Sequence, residues 1–205
     1  TGKTPMTEYL VLLLKNDFKT ATLSRGYKRK TTGFAIADAN TTALEIGDEP
    51  MQFHQKFPDV TVAVGEERLV AIPQLLHQRP DTQVIVLDDA FQHRQVRAGL
   101  NILLTDYKNI YPKDLLLPAG NLRDVPSAAK RAEVIVVTKC RPDLDLTEKE
   151  KIIKSIRPLP QQHVFFAETV YGRPYHLFKR SESNINQATK ALLISGIANP
   201  AYLQE

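Results

Sequence analysis

The chain has 205 residues, 42% of them hydrophobic and 24% charged, enough apolar content for one substantial core and too much for intrinsic disorder. Cys140 is the only cysteine, which excludes a disulfide scaffold within the chain and fits a reducing compartment. The longest apolar run, Tyr9 to Leu14, falls far short of the roughly 18 to 20 residues of a membrane-spanning helix, and a net charge of +4 permits an anionic partner without identifying one.

Thr1-Gly2-Lys3-Thr4 opens the chain without an initiator Met or a signal pattern, and the expectation is a segment of something longer. Pro5 suits a first helical position, and Met6, Tyr9, Leu10, Leu13 and Leu14 share one apolar face of a helix ending near Asn16-Asp17. A strand is expected at Thr20 to Leu23, then a basic loop from Ser24 to Gly33, then Phe34 to Ala37. A helix starts within Asp48 to Pro50 and runs to about Lys56. Val60 to Val64 reads as a strand, Glu66 to His77 as a helix, and Val84 to Leu87 as a buried parallel strand. Similar apolar runs follow at Leu100 to Leu104, Val134 to Val137 and Leu192 to Ile194. Thr147 is the expected N-cap of a helix from Glu148 to Ile156, ended by Arg157-Pro158. His163 to Tyr171 and Tyr175 to Phe178 read as a strand pair, a hairpin or edge element split by Gly172-Arg173-Pro174. The alternation predicts a three-layer α/β domain around a mostly parallel sheet. Residues 1–178 would form the core, 179–190 a polar linker or exposed loop, and 191–205 the start of a further region.

Gly2-Lys3-Thr4 matches the end of G-x-x-x-x-G-K-[ST], in which backbone N–H groups cradle phosphates, the Lys reaches the β/γ oxygens and the Thr hydroxyl meets Mg²⁺. The tripeptide alone is weak, but a helix follows at once, and a helix N-terminus attracts anions. Val84 to Asp88-Asp89 is an apolar strand ending in carboxylates at the edge where open α/β sheets place ligands. Alone, Asp88 could simply cap the strand exit. Asp48-Glu49-Pro50 follows Gly47; paired acids suit any helix's first turn, and they also supply a general base with Glu49 near a metal. Arg25, Lys28, Arg29 and Lys30 crowd one loop with Tyr27, either as a solvated charge run or as a seat for a phosphorylated or membrane-surface ligand. Gln92 and His93 extend the rim past Asp89. His54 and His77 read as surface or packing residues on helices, His163 and His176 lie in the expected strand pair, and Cys140 has no neighbour at metal-ligand spacing.

Six segments in order, Thr1 to Pro5, Leu23 to Tyr27, Gly47 to Pro50, Leu87 to Arg94, Leu116 to Arg123 and Ser195 to Pro200, resemble the tetraacyldisaccharide 4'-kinase family, the lipid A 4'-kinases of Gram-negative bacteria. The resemblance implies a P-loop NTPase-type fold. The implied reaction is transfer of the ATP γ-phosphate to the 4'-hydroxyl of a tetraacylated disaccharide 1-phosphate, at the cytoplasmic face of the inner membrane. It implies that Thr1, Gly2, Lys3, Thr4 and Arg123 meet the nucleotide, and that Thr4, Glu49, Asp88 and Asp89 surround Mg²⁺. Asp48 would be the base that takes the sugar proton, with Lys3 on the transferring phosphoryl group, and Arg25, Tyr27, Gln92 and His93 would face the acceptor. The implied partners are an anionic lipid substrate and a membrane surface, with no nucleic acid and no protein partner. The family also carries an N-terminal membrane-associated helix, glycines opening the phosphate loop and a C-terminal His segment, all expected outside these 205 residues. Ala90 stands where the family usually has Gly.

A regulatory GTPase would need Gly in place of Phe91 and Asp in place of Arg141, and both checks fail. A nucleic-acid module has only the basic loop in its favour, without a helix-turn-helix, zinc finger or stacking motif. A non-catalytic ATP-binding protein stays open at this point.

Overall fold

In the computed structural model, which describes residues 2–170, 172–173, 175–176 and 181–182, the chain divides into two units, Thr1–Thr169 and Val170–Glu205. The first helix, α1 (Lys3–Leu14), begins two residues before the expected Pro5. Gly2 makes this possible by taking left-handed backbone (φ 78°), where glycine has no Cβ penalty, and its carbonyl accepts the Met6 N–H at 3.2 Å. The buried face of α1 is Thr7 and Val11, whereas Tyr9, Leu12 and Leu13 are exposed. The apolar face read from periodicity is therefore only partly the one that packs, since Met6, Leu10 and Leu14 are half-buried while Tyr9 and Leu13 are exposed. Six consecutive apolar residues from Tyr9 to Leu14 blur the 3.6-residue period, so packing on the sheet selects the face.

Three parallel strands carry the site: β1 (Thr20–Ser24) lies between β3 (Thr61–Val64) and β4 (Val84–Leu87). β2 (Ala35–Ile36) adds an antiparallel edge on β3, giving the order β2-β3-β1-β4. Between β2 and β3 come two helices, α2 (Ala43–Ile46) and α3 (Asp48–Lys56). The sequence reading omits α2, a four-residue turn that starts where Glu45 accepts the Thr42 N–H at 2.7 Å. Between β3 and β4 runs α4 (Arg68–Gln78), which starts two residues later than expected.

β5 (Ile102–Asp106), β6 (Val134–Cys140) and β7 (His163–Glu168) form a second, wholly parallel ladder. The mostly parallel pairing is as expected, but it is divided into two ladders, with β4 ending one and β5 the other. A groove of about 290 Å³ between them is lined by Met6, Leu10, Leu87, Leu103 and Leu104 among others. The core follows the same division. Ala21, Leu23, Ala63, Ala71 and Leu75 cluster under the first ladder, and Ala132, Ile135, Val137, Cys140, Leu144 and Ile156 under the second. A third cluster joins Val11 to Phe53, Phe57, Val60 and Val62.

Two expectations are corrected. β7 is the third parallel strand of its ladder, not half of a hairpin; β8 (Tyr175–His176) pairs instead with β9 (Ser181–Glu182), within the second unit. Apolar alternation identifies a strand and says nothing about its partner. The helix α5 (Leu146–Ile156) is capped by Asp145, whose Oδ1 accepts the Glu148 N–H at 2.7 Å, and Thr147 lies inside the first turn. The expected strand at Leu192 to Ile194 and the Ser195 to Pro200 motif lie outside the described residues, as does most of the expected 179–190 linker. No helix of the described residues is long and apolar enough to cross a membrane.

Because the cap on α5 belongs to Asp145, Asp145→Ala should cost about 1 kcal/mol in urea unfolding, while Thr147→Ala, at an exposed helical position, should stay within about 0.5 kcal/mol. The reverse ranking would restore Thr147 as the cap.

Candidate active site

Three strand ends meet at one rim. The Leu23 carbonyl accepts the Asp88 N–H at 3.1 Å and the Ser24 carbonyl accepts the Gly65 N–H at 3.0 Å, so the ends of β1, β3 and β4 are tied just where their side chains change from apolar to charged. Asp89 leaves this rim with left-handed backbone (φ 50°), a region that Asp enters at less cost than bulkier residues. Its carboxylate accepts from Lys3 Nζ at 2.8 Å and from both terminal nitrogens of Arg123 at 2.5 and 3.1 Å. The hydrogen bond from Arg123, with that from Lys3, outweighs burial and holds the Asp89 carboxyl far below the ordinary aspartate range. The same bond raises Arg123.

Arg123 arrives on a loop that is fixed from within. Asp114 Oδ1 accepts the N–H groups of Leu115 (2.8 Å) and Asn121 (3.1 Å), and Leu115 and Leu122 pair across the loop at 3.0 Å. Gly120 is required here: a Cβ at this position would lie 2.3 Å from the Leu115 carbonyl oxygen. On the far side of the Asp pair, Asp124 accepts from Arg94 (2.9 Å) and Arg131 (3.1 Å). Arg131 also covers the Phe91 ring at 4.2 Å and donates to the Phe91 carbonyl at 2.8 Å, which secures the loop after Asp89.

Asp88 faces the other way, into α1. It is buried, and Thr7 Oγ1 donates to its Oδ1 at 3.4 Å. Burial first, and then the charge of Glu49, push the Asp88 carboxyl above its ordinary value, against the pull of Lys3. Glu49 Oε1 accepts from Thr4 Oγ1 at 3.2 Å. Thr4, Glu49 and Asp88 thus make an all-oxygen group at the N-terminus of α1. Asp48 is exposed in the first turn of α3, next to Glu49.

The cations of the basic loop separate into two kinds. Arg25 is exposed and lies close enough to His93 and Arg68 to act on both electrostatically. Burial, then Arg68 and Arg25, lower the His93 imidazole below its ordinary value, so it is neutral at pH 7. Tyr27 and Gln92 are exposed, and Lys28 sits 5.4 Å from the centre of the Tyr27 ring. Arg29, grouped by the sequence with a run that is either solvated or a ligand seat, is instead buried against Glu66. Thr1 lies outside the described residues.

Sequence reasoning misses two contributors to this rim. Thr7 looks like an ordinary helical threonine. Arg68, at the start of α4, is fully buried, donates to the Gly65 carbonyl and reaches the Asp88 carbonyl at 3.4 Å. The only signal is an arginine placed among apolar helical neighbours, which reads equally well as a solvated residue. Ser24 Oγ, Arg29 Nε and Arg68 Nε are buried without hydrogen-bond partners. An unmet buried polar atom costs about 1 to 3 kcal/mol, and all three of these lie near one end of the first ladder.

The profile of the family described as tetraacyldisaccharide-1-P 4'-kinase matches residues 1–205. The chain belongs to this family. It is 49% identical to a tetraacyldisaccharide 4'-kinase of Flavobacterium johnsoniae over 98% of this chain and 59% of that one. It is 46% identical to one of Phocaeicola vulgatus over 99% of this chain and 57% of the other. It therefore spans less than two thirds of the length of these relatives. A crystal structure of an "apo" form of LpxK from Aquifex aeolicus in complex with ATP superposes with a TM-score of 0.61 at 28% identity, over 81% of this chain and 66% of that one. The P-loop kinase fold of the tetraacyldisaccharide 4'-kinases is thus the fold of this chain, and the rim just described lies within the matched residues.

Ionisation of Asp88 opposes folding. The cost is absent below the carboxyl's unfolded-chain pKa and complete above its raised folded one. Asp88→Asn, which keeps an acceptor for Thr7, should melt a few degrees above the parent at pH 7, with the gain vanishing as the pH falls to about 4. Thermal melts across this range check it, and an Asn variant that melts lower at pH 7 would show that Asp88 is paired after all.

Proposed function

We propose that the protein acts as an ATP-dependent kinase that phosphorylates the 4'-hydroxyl of a tetraacyldisaccharide 1-phosphate, a lipid A precursor. The observation that carries this reading is the three-way contact of Lys3, Asp89 and Arg123 beside the Thr4, Glu49 and Asp88 oxygens, in a chain of that family. ATP as donor is supported by the likeness to a relative crystallised with it.

Phosphoryl transfer requires charge neutralisation and alignment more than covalent chemistry. Lys3 and Arg123 supply two cations for the phosphoryl oxygens, and Asp89 orients both before the nucleotide arrives. Gly2 offers the backbone turn at the helix N-terminus, where phosphate is favoured. Mg²⁺ fits the Thr4, Glu49 and Asp88 group. All its donors are oxygens, as that hard ion prefers, and the mutual repulsion of Asp88 and Glu49 is the kind a cation relieves. Held there, the ion would neutralise phosphate charge. Asp48, exposed and adjacent to Glu49, accepts the proton of the attacking hydroxyl. Arg25, Tyr27, Gln92 and neutral His93 form the acceptor side, where Arg25 meets anionic groups of the substrate. A lipid acceptor and a cytosolic donor put the reaction at the cytoplasmic face of the inner membrane, and the net charge of +4 suits an anionic surface.

Replacing Asp48 with Ala in the full-length protein should lower turnover by about 10²- to 10⁴-fold while ATP affinity stays within about twofold. Assay of radiolabelled phosphate transfer and a separate nucleotide-binding titration measure the two. Turnover at the parental rate would remove Asp48 from the mechanism.

A further inference from the structure

The basic loop between β1 and β2 contains five polar or aromatic side chains in a row, Arg25, Tyr27, Lys28, Arg29 and Lys30, around Gly26. Four of them are exposed. Arg29 is different: its side chain is 2% exposed. One terminal nitrogen of its guanidinium donates to the Gly33 carbonyl and to Glu66 Oε1 at 2.5 Å, and the other reaches Thr31 Oγ1 at 3.4 Å. Glu66 closes the ring, since its second oxygen accepts the Gly33 N–H at 3.0 Å. A two-pronged donor and a two-oxygen acceptor therefore fasten the middle and the C-terminal part of the loop, at residues 29 and 33, to the segment that leads from β3 into α4. Lysine, a point donor, cannot span these partners.

The opposite side of the loop is hydrogen-bonded to α2 and packs closely on Gly47, the residue before α3. The Lys30 N–H donates to the Leu44 carbonyl at 2.8 Å, and Thr31 Oγ1 donates to the Glu45 carbonyl at 2.5 Å. Two glycines allow the contact to close. A Cβ on Gly26 would come 2.6 Å from Arg29 Cδ and 3.0 Å from the Ile46 carbonyl oxygen, and one on Gly47 would come 3.0 Å from the Tyr27 carbonyl oxygen. The Arg25 to Tyr27 turn is thus held directly against Gly47, the residue before Asp48. It is held from behind by a guanidinium that no ligand at the surface can reach.

We propose that Arg29 and Glu66 are positioning residues that fix the Arg25 to Tyr27 turn beside Asp48 and thereby set the affinity for the phosphoryl acceptor. This rests on the kinase reading for the acceptor and on the contacts alone for the positioning. Residues 25–33 contribute no side chain to the apolar clusters of the first ladder, and the next residue, Phe34, keeps its own packing against the cluster of Ala21, Leu23 and Ala63, so loosening residues 25–33 leaves the fold and the Lys3, Asp89 and Arg123 contact in place.

The test uses the full-length protein with Arg29→Met, Arg29→Lys and Glu66→Gln. Arg29→Met should raise the KM for the lipid acceptor about tenfold or more while the KM for ATP and kcat change by less than about twofold. Arg29→Lys should recover only part of the loss, and Glu66→Gln, which keeps the shape and one of the two acceptor oxygens, should show a smaller rise of about threefold. Backbone amide exchange is the second readout. In Arg29→Met, Lys30 and Gly33 should exchange at least about tenfold faster while β1 and β4 stay protected. If all kinetic constants fall together in step with the melting temperature, or if the acceptor KM is unmoved, the positioning role is overturned. Unchanged exchange at Lys30 and Gly33 overturns it equally, and that readout holds even if the parent protein shows no acceptor-dependent turnover, a result that would sink the kinase reading instead.

Discussion

Everything in the candidate site hangs on the Asp89 carboxylate. It joins the start of α1, the end of β4 and the loop ending at Arg123, which are separated by 86 and 34 residues along the chain. The side chains of Lys3, Asp89 and Arg123 are 42%, 37% and 49% exposed. Ion pairs at that exposure contribute only about 0 to 1 kcal/mol each. Their value is therefore in geometry: two cations are oriented toward one carboxylate beside the N-terminus of a helix. Preorganised charge of this kind avoids reorganisation during reaction, which is where phosphoryl-transfer sites gain most.

The neighbouring Asp88 shows the opposite balance. It is buried beside Glu49 and makes no salt bridge among the described residues, so the fold carries an electrostatic cost at this residue. The backbone around it is correspondingly overdetermined. Asp88 N–H binds β1, Thr7 reaches the side chain, and Arg68 approaches the carbonyl. A rigid strand end holds this buried carboxylate in place in spite of its electrostatic cost.

The motifs that carry the family resemblance are chemically obvious in the sequence because they are local: Gly2-Lys3-Thr4, Gly47 to Pro50 and Asp88-Asp89 each sit within a few residues. The apolar strands were legible for the same reason, since a short Val, Ile and Leu run can hardly be solvated. Less legible were features set by distant partners. The face of α1 that packs is chosen by Phe53, Phe57 and Val62, not by its own period. The partner of β7 is β6, not β8. The cap of α5 is decided between Asp145 and Thr147 by two residues of register.

By itself, the sequence determined which residue types are available, the order of strands and helices, and the chemistry those residues can perform, because propensity, apolar runs and motif spacing act over a few residues. The tertiary structure alone decided which of them meet. Arg29 and Arg25 are four residues apart in one basic loop, yet one is buried as a brace and the other faces solvent. That difference arises from Glu66 and Gly33, and from the close approach that Gly26 and Gly47 permit. Long-range packing fixes it, and no local pattern in the sequence records it.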